Sequence, residues 1–264
     1  MKTHFQRRYL GIPYALFMMC FVIAPVAVIL YYAFTNGEGQ FTVSNLLGFF
    51  TSGNTIGTLL YSTLLAFVVT ALCLVIAYPV AYALAVSRIK RKNALLFLFV
   101  TPMWINFTLR VTALKEVLTV IEGNMAFYPF INTIIGMTYD FLPFMILPLY
   151  SVMVKIDQSV IEAAQDLGSS KLNLVRRVIL PLSMPGINTG IIAVFVPSVS
   201  TFVISRMLGG GTNDLIGDLI EAQFLGASYN PHLGSAMALV LMVIVLFMMS
   251  LFNQFGSEEE GAMI

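Results

Sequence analysis

Six stretches of this chain are long and apolar enough to cross a bilayer: Tyr9 to Phe34, Gly57 to Ser87, Ala94 to Leu118, Ile131 to Val154, Pro185 to Met207, and Leu233 to Phe255. A helix of about 20 mostly apolar residues spans the hydrocarbon layer. The six together take up more than half of the 264 residues. Apolar side chains occur all round each segment rather than on one stripe, as lipid-facing helices require. Strands of a membrane barrel would alternate every second residue over about 10 residues, and that pattern is absent. Composition closes off a soluble fold. Charged residues make up only 10% and hydrophobic ones 58%, whereas a soluble domain carries about a quarter charged residues. So few charges cannot cover a water-facing surface, which leaves lipid as the surroundings. A soluble enzyme, a disordered chain and a secreted disulfide scaffold are excluded. The net charge of +1 gives no sign of nucleic acid as a partner. Cys20 and Cys73 both lie in apolar runs and suggest no disulfide framework. The expected fold class is an all-α membrane protein with six transmembrane helices. The first segment is too long for the 7–15-residue core of a signal peptide and lacks a clear cleavage pattern, so it reads as a retained helix.

Orientation follows from lysine and arginine placement. Lys2, Arg7 and Arg8 precede the first segment. Arg88, Lys90, Arg91 and Lys92 fill the second-to-third connection, and Lys155, Lys171, Arg176 and Arg177 the fourth-to-fifth. The opposite connections carry acids instead: Glu38, Glu122, Asp214, Asp218 and Glu221. Both termini and the fourth-to-fifth loop are therefore expected in the cytoplasm.

That loop, residues 155–183, carries the most informative pattern. Its first half, from Asp157, is rich in helix formers, and Gly168 is placed to end the helix in a left-handed turn. Ser169 or Ser170 is placed to cap a second short helix. Leu172, Val175 and Val178 or Ile179 would form the apolar edge of that helix, with Pro181 and Pro185 marking the start of the fifth span. The run Glu162-Ala163-Ala164, then Gly168, then Val178, Leu180 and Pro181, resembles the EAA loop of permease subunits in ATP-binding-cassette importers, with Val178 in place of an isoleucine. The resemblance implies a type I importer permease fold, with one transmembrane permease domain over 1–264. It also implies that Glu162, Ala163, Ala164, Gly168, Leu180 and Pro181 couple the chain to an ATPase subunit.

Pro102-Met-Trp104-Ile-Asn106-Phe-Thr-Leu-Arg110, Leu142-Pro143-Phe144 through Pro148-Leu-Tyr150, and Leu208-Gly209-Gly210 with Leu215-Ile216-Gly217 look like spermidine/putrescine importer permeases, most of all the first of their two permease subunits. Related permeases serve sulfate, iron, thiamine and other solutes. One position departs from the pattern: Arg206 stands where the family commonly has an acid. The resemblance implies a second permease subunit, two ATPase subunits that hold the ATP and magnesium, an extracytoplasmic solute-binding protein, and a multi-pass location in the bacterial inner membrane. No cofactor or metal belongs to this chain. It has no Gly-x-x-x-x-Gly-Lys-[Ser/Thr] phosphate loop, and Gly209-Gly210-Gly211 lacks the lysine. His4 and His232 lie far apart, and no catalytic constellation is present. An ion-gradient-driven transporter would need no EAA loop and usually carries repeated halves. An intramembrane enzyme would need catalytic groups that the sequence lacks.

Ionisable groups inside a span are costly, so each is a functional hypothesis by default. Asp140 lies about 13 Å in from the outer end of its segment, and Arg110 about 12 Å in from the outer end of its own, at 1.5 Å per residue. Their depths match. Two readings stand open: a structural ion pair, or a pathway in which Asp140 meets an amine cation with help from the rings of Tyr139 and Trp104. Asn106 belongs to the same candidate pathway. Thr201 and Ser205 either line it or cap backbone carbonyls. Asp214, Asp218 and Glu221 share one face of a short outer helix, which either meets a partner or cations or is simply solvated. The topology has a direct test. A cysteine placed at Ser169 should react with an impermeant thiol reagent only from the cytoplasmic side, and one at Asn213 only from outside. Opposite accessibility at either position overturns it.

Overall fold

The computed structural model describes residues 11–86, 91–123, 127–211, 214–226 and 229–262. Among them the α-helices are α1 (Gly11–Met18), α2 (Ala24–Ala33), α3 (Ser44–Thr51), α4 (Gly53–Val86), α5 (Lys92–Val100), α6 (Phe107–Glu122), α7 (Pro129–Met153), α8 (Gln158–Asp166), α9 (Lys171–Leu174), α10 (Leu180–Ser200), α11 (Val203–Leu208), α12 (Ile216–Leu225) and α13 (Pro231–Ala262). The described residues contain no strand beyond an isolated bridge between Thr35 and Phe41.

Five helical runs are long and apolar enough to cross a bilayer: Gly11–Ala33, Gly53–Val86, Pro129–Met153, Lys171–Ser200 and Pro231–Gln254. The first joins α1 to α2 through a π turn at Met19–Ile23. The segment expected as a straight span from Ala94 to Leu118 is instead a bent pair, Ala94–Trp104 and Phe107–Glu122, meeting at 99°. Local chemistry explains the break. Pro102 lacks the N–H that would continue the ladder, and the chain tightens into a 3₁₀ turn over Thr101–Trp104 before Ile105 turns extended. Asn106 then opens α6, its side-chain oxygen accepting from the N–H groups of Thr108 (3.0 Å) and Leu109 (3.4 Å).

The fifth span also differs from the segment Pro185–Met207. It begins upstream at Lys171 and ends at Ser200; Thr201 is extended, and α11 is a separate short helix. Near that end the hydroxyls of Ser198 and Ser200 bond back to the carbonyls of Val194 and Val196, a local competition that bends helices. At the other end a π turn over Val175–Ile179 precedes Pro181. The proline lacks the N–H that would have reached the Arg177 carbonyl, and the Leu180 N–H reaches Val175 instead.

The chain divides into two compact units, residues 1–56 with 219–244, and residues 57–218 with 245–264. In the first, His232 Nδ1 lies 3.1 Å from the Tyr32 carbonyl and its ring 5.1 Å from the Tyr32 ring. The Asn45 amide donates to the carbonyls of Ala33 and Thr35. These bonds satisfy backbone groups that the end of α2 leaves open.

In the second unit, α4, α6, α7 and α10 share one core that includes Leu65, Val69, Met137, Met145, Leu149 and Val194. α10 lies close against α7, and glycines make this possible. Gly186 and Gly190 stand four apart on α10, the spacing that lets membrane helices meet backbone to backbone. A Cβ on Gly186 would lie 3.0 Å from the Pro148 carbonyl oxygen and 3.2 Å from Leu149 Cα. One on Gly136 of α7 would overlap the Leu208 side chain of α11. Gly186→Val should therefore destabilise the protein by about 1–3 kcal/mol, the usual cost of overpacking. Gly57→Ala, in open space on α4, should not. Thermal unfolding of the detergent-purified chain measures both, and equal midpoints for Gly186→Val and wild type contradict this contact.

Candidate functional site

The site has a membrane part, built on α6 and α7, and a loop part, residues 155–183. Arg110 sits one turn into α6 and Asp140 near the middle of α7. Their side chains meet, with Nη2 3.1 Å from Oδ1 and side-chain exposures of 6% and 0%. Both carboxylate oxygens lack a hydrogen bond, as do Arg110 Nε and Nη1. The charge attraction is thus the main compensation for burying the two groups. The Arg110 guanidinium also lies 5.9 Å from the centre of the Phe107 ring. A second tie joins the same helices. The Asn132 amide of α7 donates to Glu122 Oε2 of α6 at 2.9 Å.

The other residues of the candidate pathway do not gather round this pair. Trp104 stands 80% exposed in the 3₁₀ turn before the break. Asn106 is occupied as the cap of α6. Tyr139 is 43% exposed, while its neighbour Asp140 is fully buried. Among the described residues neither Trp104 nor Tyr139 makes a ring or cation contact. Thr201 is buried in the extended turn that ends α10. The Ser205 hydroxyl bonds back to the Phe202 carbonyl and also meets the Asp218 carboxylate.

Asp218, on α12, is the main departure from the sequence reading. It does not lie on a solvated face with Asp214 and Glu221: it is 6% exposed. It occupies the third position of α12, and its Oδ2 accepts from the Leu215 N–H at 2.8 Å, closing the helix start. The next orphan donor, the Ile216 N–H, goes to the Ser62 hydroxyl of α4 at 2.8 Å. Burial raises the Asp218 carboxyl above its ordinary range, with the Ser205 and Leu215 bonds pulling the other way. Arg206 Nε lies 4.0 Å from Asp218 Oδ1, and its guanidinium is 5.9 Å from the Phe202 ring centre. The cation at this position therefore stands beside a buried acid. An acid three residues after a helix cap was the readable signal for Asp218; nothing in the sequence singled out Ser62.

In the loop 155–183, Asp157 caps α8 and accepts from the Ser159 N–H, which holds its carboxyl below the ordinary range. At the other end the Gly168 N–H reaches the Gln165 carbonyl and the Ser169 N–H the Ala164 carbonyl, with Gly168 at φ +79°. This is the paired-bond helix stop that favours glycine. The Ser170 hydroxyl then caps α9, accepting from the Asn173 N–H. Ile161, Leu174 and Ile179 form a buried cluster, with Tyr82, Ile156 and Ala164 packed on it. Leu172, expected on the apolar edge, is exposed instead, and Leu174 takes that place. The π turn shifts the helical phase, so regular three- and four-residue spacing misassigns the inner face. Glu162 and Ala163 point away from the cluster and are exposed; Leu180 is exposed and Pro181 half-buried.

The family model described as binding-protein-dependent transport system inner membrane component matches residues 75–256. The chain belongs to this family. It is a multi-pass transmembrane permease subunit of an ABC importer, a component of the inner membrane rather than an enzyme. Over 205 residues it is 38% identical to the spermidine/putrescine transport system permease protein PotB of Escherichia coli K12, covering 72% of this chain and 74% of that one. Over 197 residues it is 39% identical to the Haemophilus influenzae protein of the same name, covering 68% of each. The bacterial alginate ABC transporter in complex with alginate pentasaccharide-bound periplasmic protein has a chain of the same fold, with TM-score 0.74 at 14% identity over 94% of this permease and 92% of that chain.

The ion pair in this permease makes a sharp expectation. Asp140→Asn leaves the Arg110 charge buried and unpaired, which typically costs about 3–5 kcal/mol, so the yield of folded protein in membranes should fall steeply. Asp140→Asn with Arg110→Gln removes both charges and should restore it. A double variant no better folded than Asp140→Asn alone would show that the pair is not what the single change disrupts.

Proposed function

We propose that this chain is the first permease subunit of a spermidine/putrescine importer. The observation that carries this reading is the 37–39% identity, over about seven-tenths of the chain, to permeases named for that transport. In this reading an extracytoplasmic binding protein delivers the polyamine, and this chain and a second permease subunit form the path between them. Two ATPase subunits holding ATP and magnesium drive the cycle from the cytoplasm. The whole of 1–264 acts as one permease domain with both termini inside. Arg206 does not oppose a cationic solute as a bare charge, because Asp218 stands beside it.

The loop 155–183 is the coupling element. Ile161, Leu174 and Ile179 tether it from beneath, while the exposed Glu162 and Ala163 offer a carboxylate and a small side chain to the ATPase. Ala164, Gly168, Leu180 and Pro181 hold the angle between the two short helices. Arg110 and Asp140 support the pathway as a structural pair. Trp104, Tyr139 and Thr201 are its candidate contacts, and Asn106 shapes the break beside them.

The test is uptake by the assembled importer. The wild-type complex should import radiolabelled spermidine and putrescine only with ATP and the binding protein present. Gly168→Pro, which forbids the left-handed turn and removes its N–H, should leave the permease in the membrane and abolish uptake. Absence of polyamine import by an assembled, ATP-hydrolysing wild-type complex overturns the substrate assignment. Full uptake by Gly168→Pro overturns the coupling role.

A further inference from the structure

One carboxylate in the membrane part has no partner among the described residues. Glu116 lies on α6, between the two ties that bind this helix to α7. From Arg110 to Glu122 α6 rises about 18 Å, while α7 runs back from Asp140 to Asn132 over about 12 Å. The two helices are therefore antiparallel neighbours through the outer half of α7, in the orientation proposed above. Glu116 sits midway between the ties, on the order of 10 Å below the outer end of α7.

The side chain faces away from that contact. Glu116 is exposed, in a surface made otherwise of Leu109, Ala113, Val117 and Val120, all exposed. It belongs to neither ion pair of the membrane part and outer corner, and no side chain among the described residues bonds to it. Lys115, the adjoining residue, is half-buried and does not pair with it. Arg110 and Glu122 on the same helix are each engaged with α7. An ionised group at this depth is costly against hydrocarbon, and such groups face a bundle interior or a water-filled path. Among the described residues Glu116 faces neither.

We propose that Glu116 lines the translocation path and binds the ammonium groups of the passing solute. The assignment rests on the polyamine reading and deepens it. A bare carboxylate on an apolar wall attracts an alkyl polycation twice over. The charge meets an ammonium group, and Leu109, Ala113 and Val120 meet the methylenes between one nitrogen and the next. Neighbouring amines let the solute exchange contacts as it moves, so the site need not hold it tightly. Asp140, buried and committed to Arg110, is not available for this role.

The experiment uses the complete importer in proteoliposomes with its binding protein. Glu116→Gln should lower spermidine and putrescine import by about 10-fold or more while binding-protein-stimulated ATP hydrolysis persists. Glu116→Asp, which keeps the charge, should retain most of the import. Equal import by Glu116→Gln and wild type overturns the contact alone; a wild-type complex that imports neither amine overturns the substrate assignment and this contact together. A second measurement stands even if Glu116→Gln assembles poorly. In a Cys20→Ser background, Glu116→Cys should react with a cationic, membrane-impermeant thiol reagent, and spermidine should slow the reaction. A thiol that does not react faces lipid or protein, and one whose reaction spermidine leaves unchanged does not touch the solute; either result overturns the proposal.

Discussion

Two opposite charges buried inside a membrane bundle must be kept together, because separating them leaves a bare charge in a low-dielectric setting. In this permease the Arg110–Asp140 pair meets that constraint and shapes what surrounds it. The chain breaks at Ile105–Asn106 and turns by 99°. The helix that starts there would have only apolar packing to fix its direction. Arg110, one turn in, anchors it at mid-depth on α7, and the Glu122–Asn132 bond anchors its far end. The broken span becomes a defined wall rather than a loose one. α7 is in turn held against α10 by contacts too close to admit a Cβ at Gly186. A change at the pair would thus propagate to α6, α7 and, through Gly136 against Leu208, to α11.

The presence and approximate places of the membrane segments were legible because lipid imposes one requirement everywhere: about 20 apolar residues with their backbone satisfied internally. Hydropathy does not register how that backbone is satisfied. At Asn106 a single capping side chain turns one span into two helices. At Thr201 an extended residue ends α10 inside a stretch that remains apolar as far as Met207. Both breaks sit at polar residues that composition averages away. The π turn before Pro181 had the same effect on the loop 155–183, exchanging Leu172 for Leu174 on the inner face.

The site was legible where chemistry is local and less so where it depends on neighbours. Gly168 announces a left-handed helix stop by its identity and place, and adopts φ +79°. The matched depths of Arg110 and Asp140 allowed a pair, because α-helical rise is constant, but left it beside a pathway role until the contact was seen. Asp218 could not be told from Asp214 and Glu221, because three acids at helical spacing look alike in sequence. Only the fold shows that one of them closes its helix start and turns inward to Ser205. Glu116 escaped notice for the converse reason. Its place among apolar residues is visible in sequence, but its lack of a partner among the described residues appears only when α6 has been set beside α7.

The pair itself is open to direct observation in a lipid bilayer. Solid-state NMR on the permease, with nitrogen-labelled arginine and carboxyl-labelled aspartate, measures dipolar coupling between the Arg110 guanidinium and the Asp140 carboxyl carbon, with the double variant Asp140→Asn, Arg110→Gln as the assignment control. The 3.1 Å separation of Nη2 and Oδ1 predicts a strong coupling that disappears in the control. No coupling in the folded wild-type protein would mean that the two charges are not in contact, and that something other than this pair holds the bent span against α7.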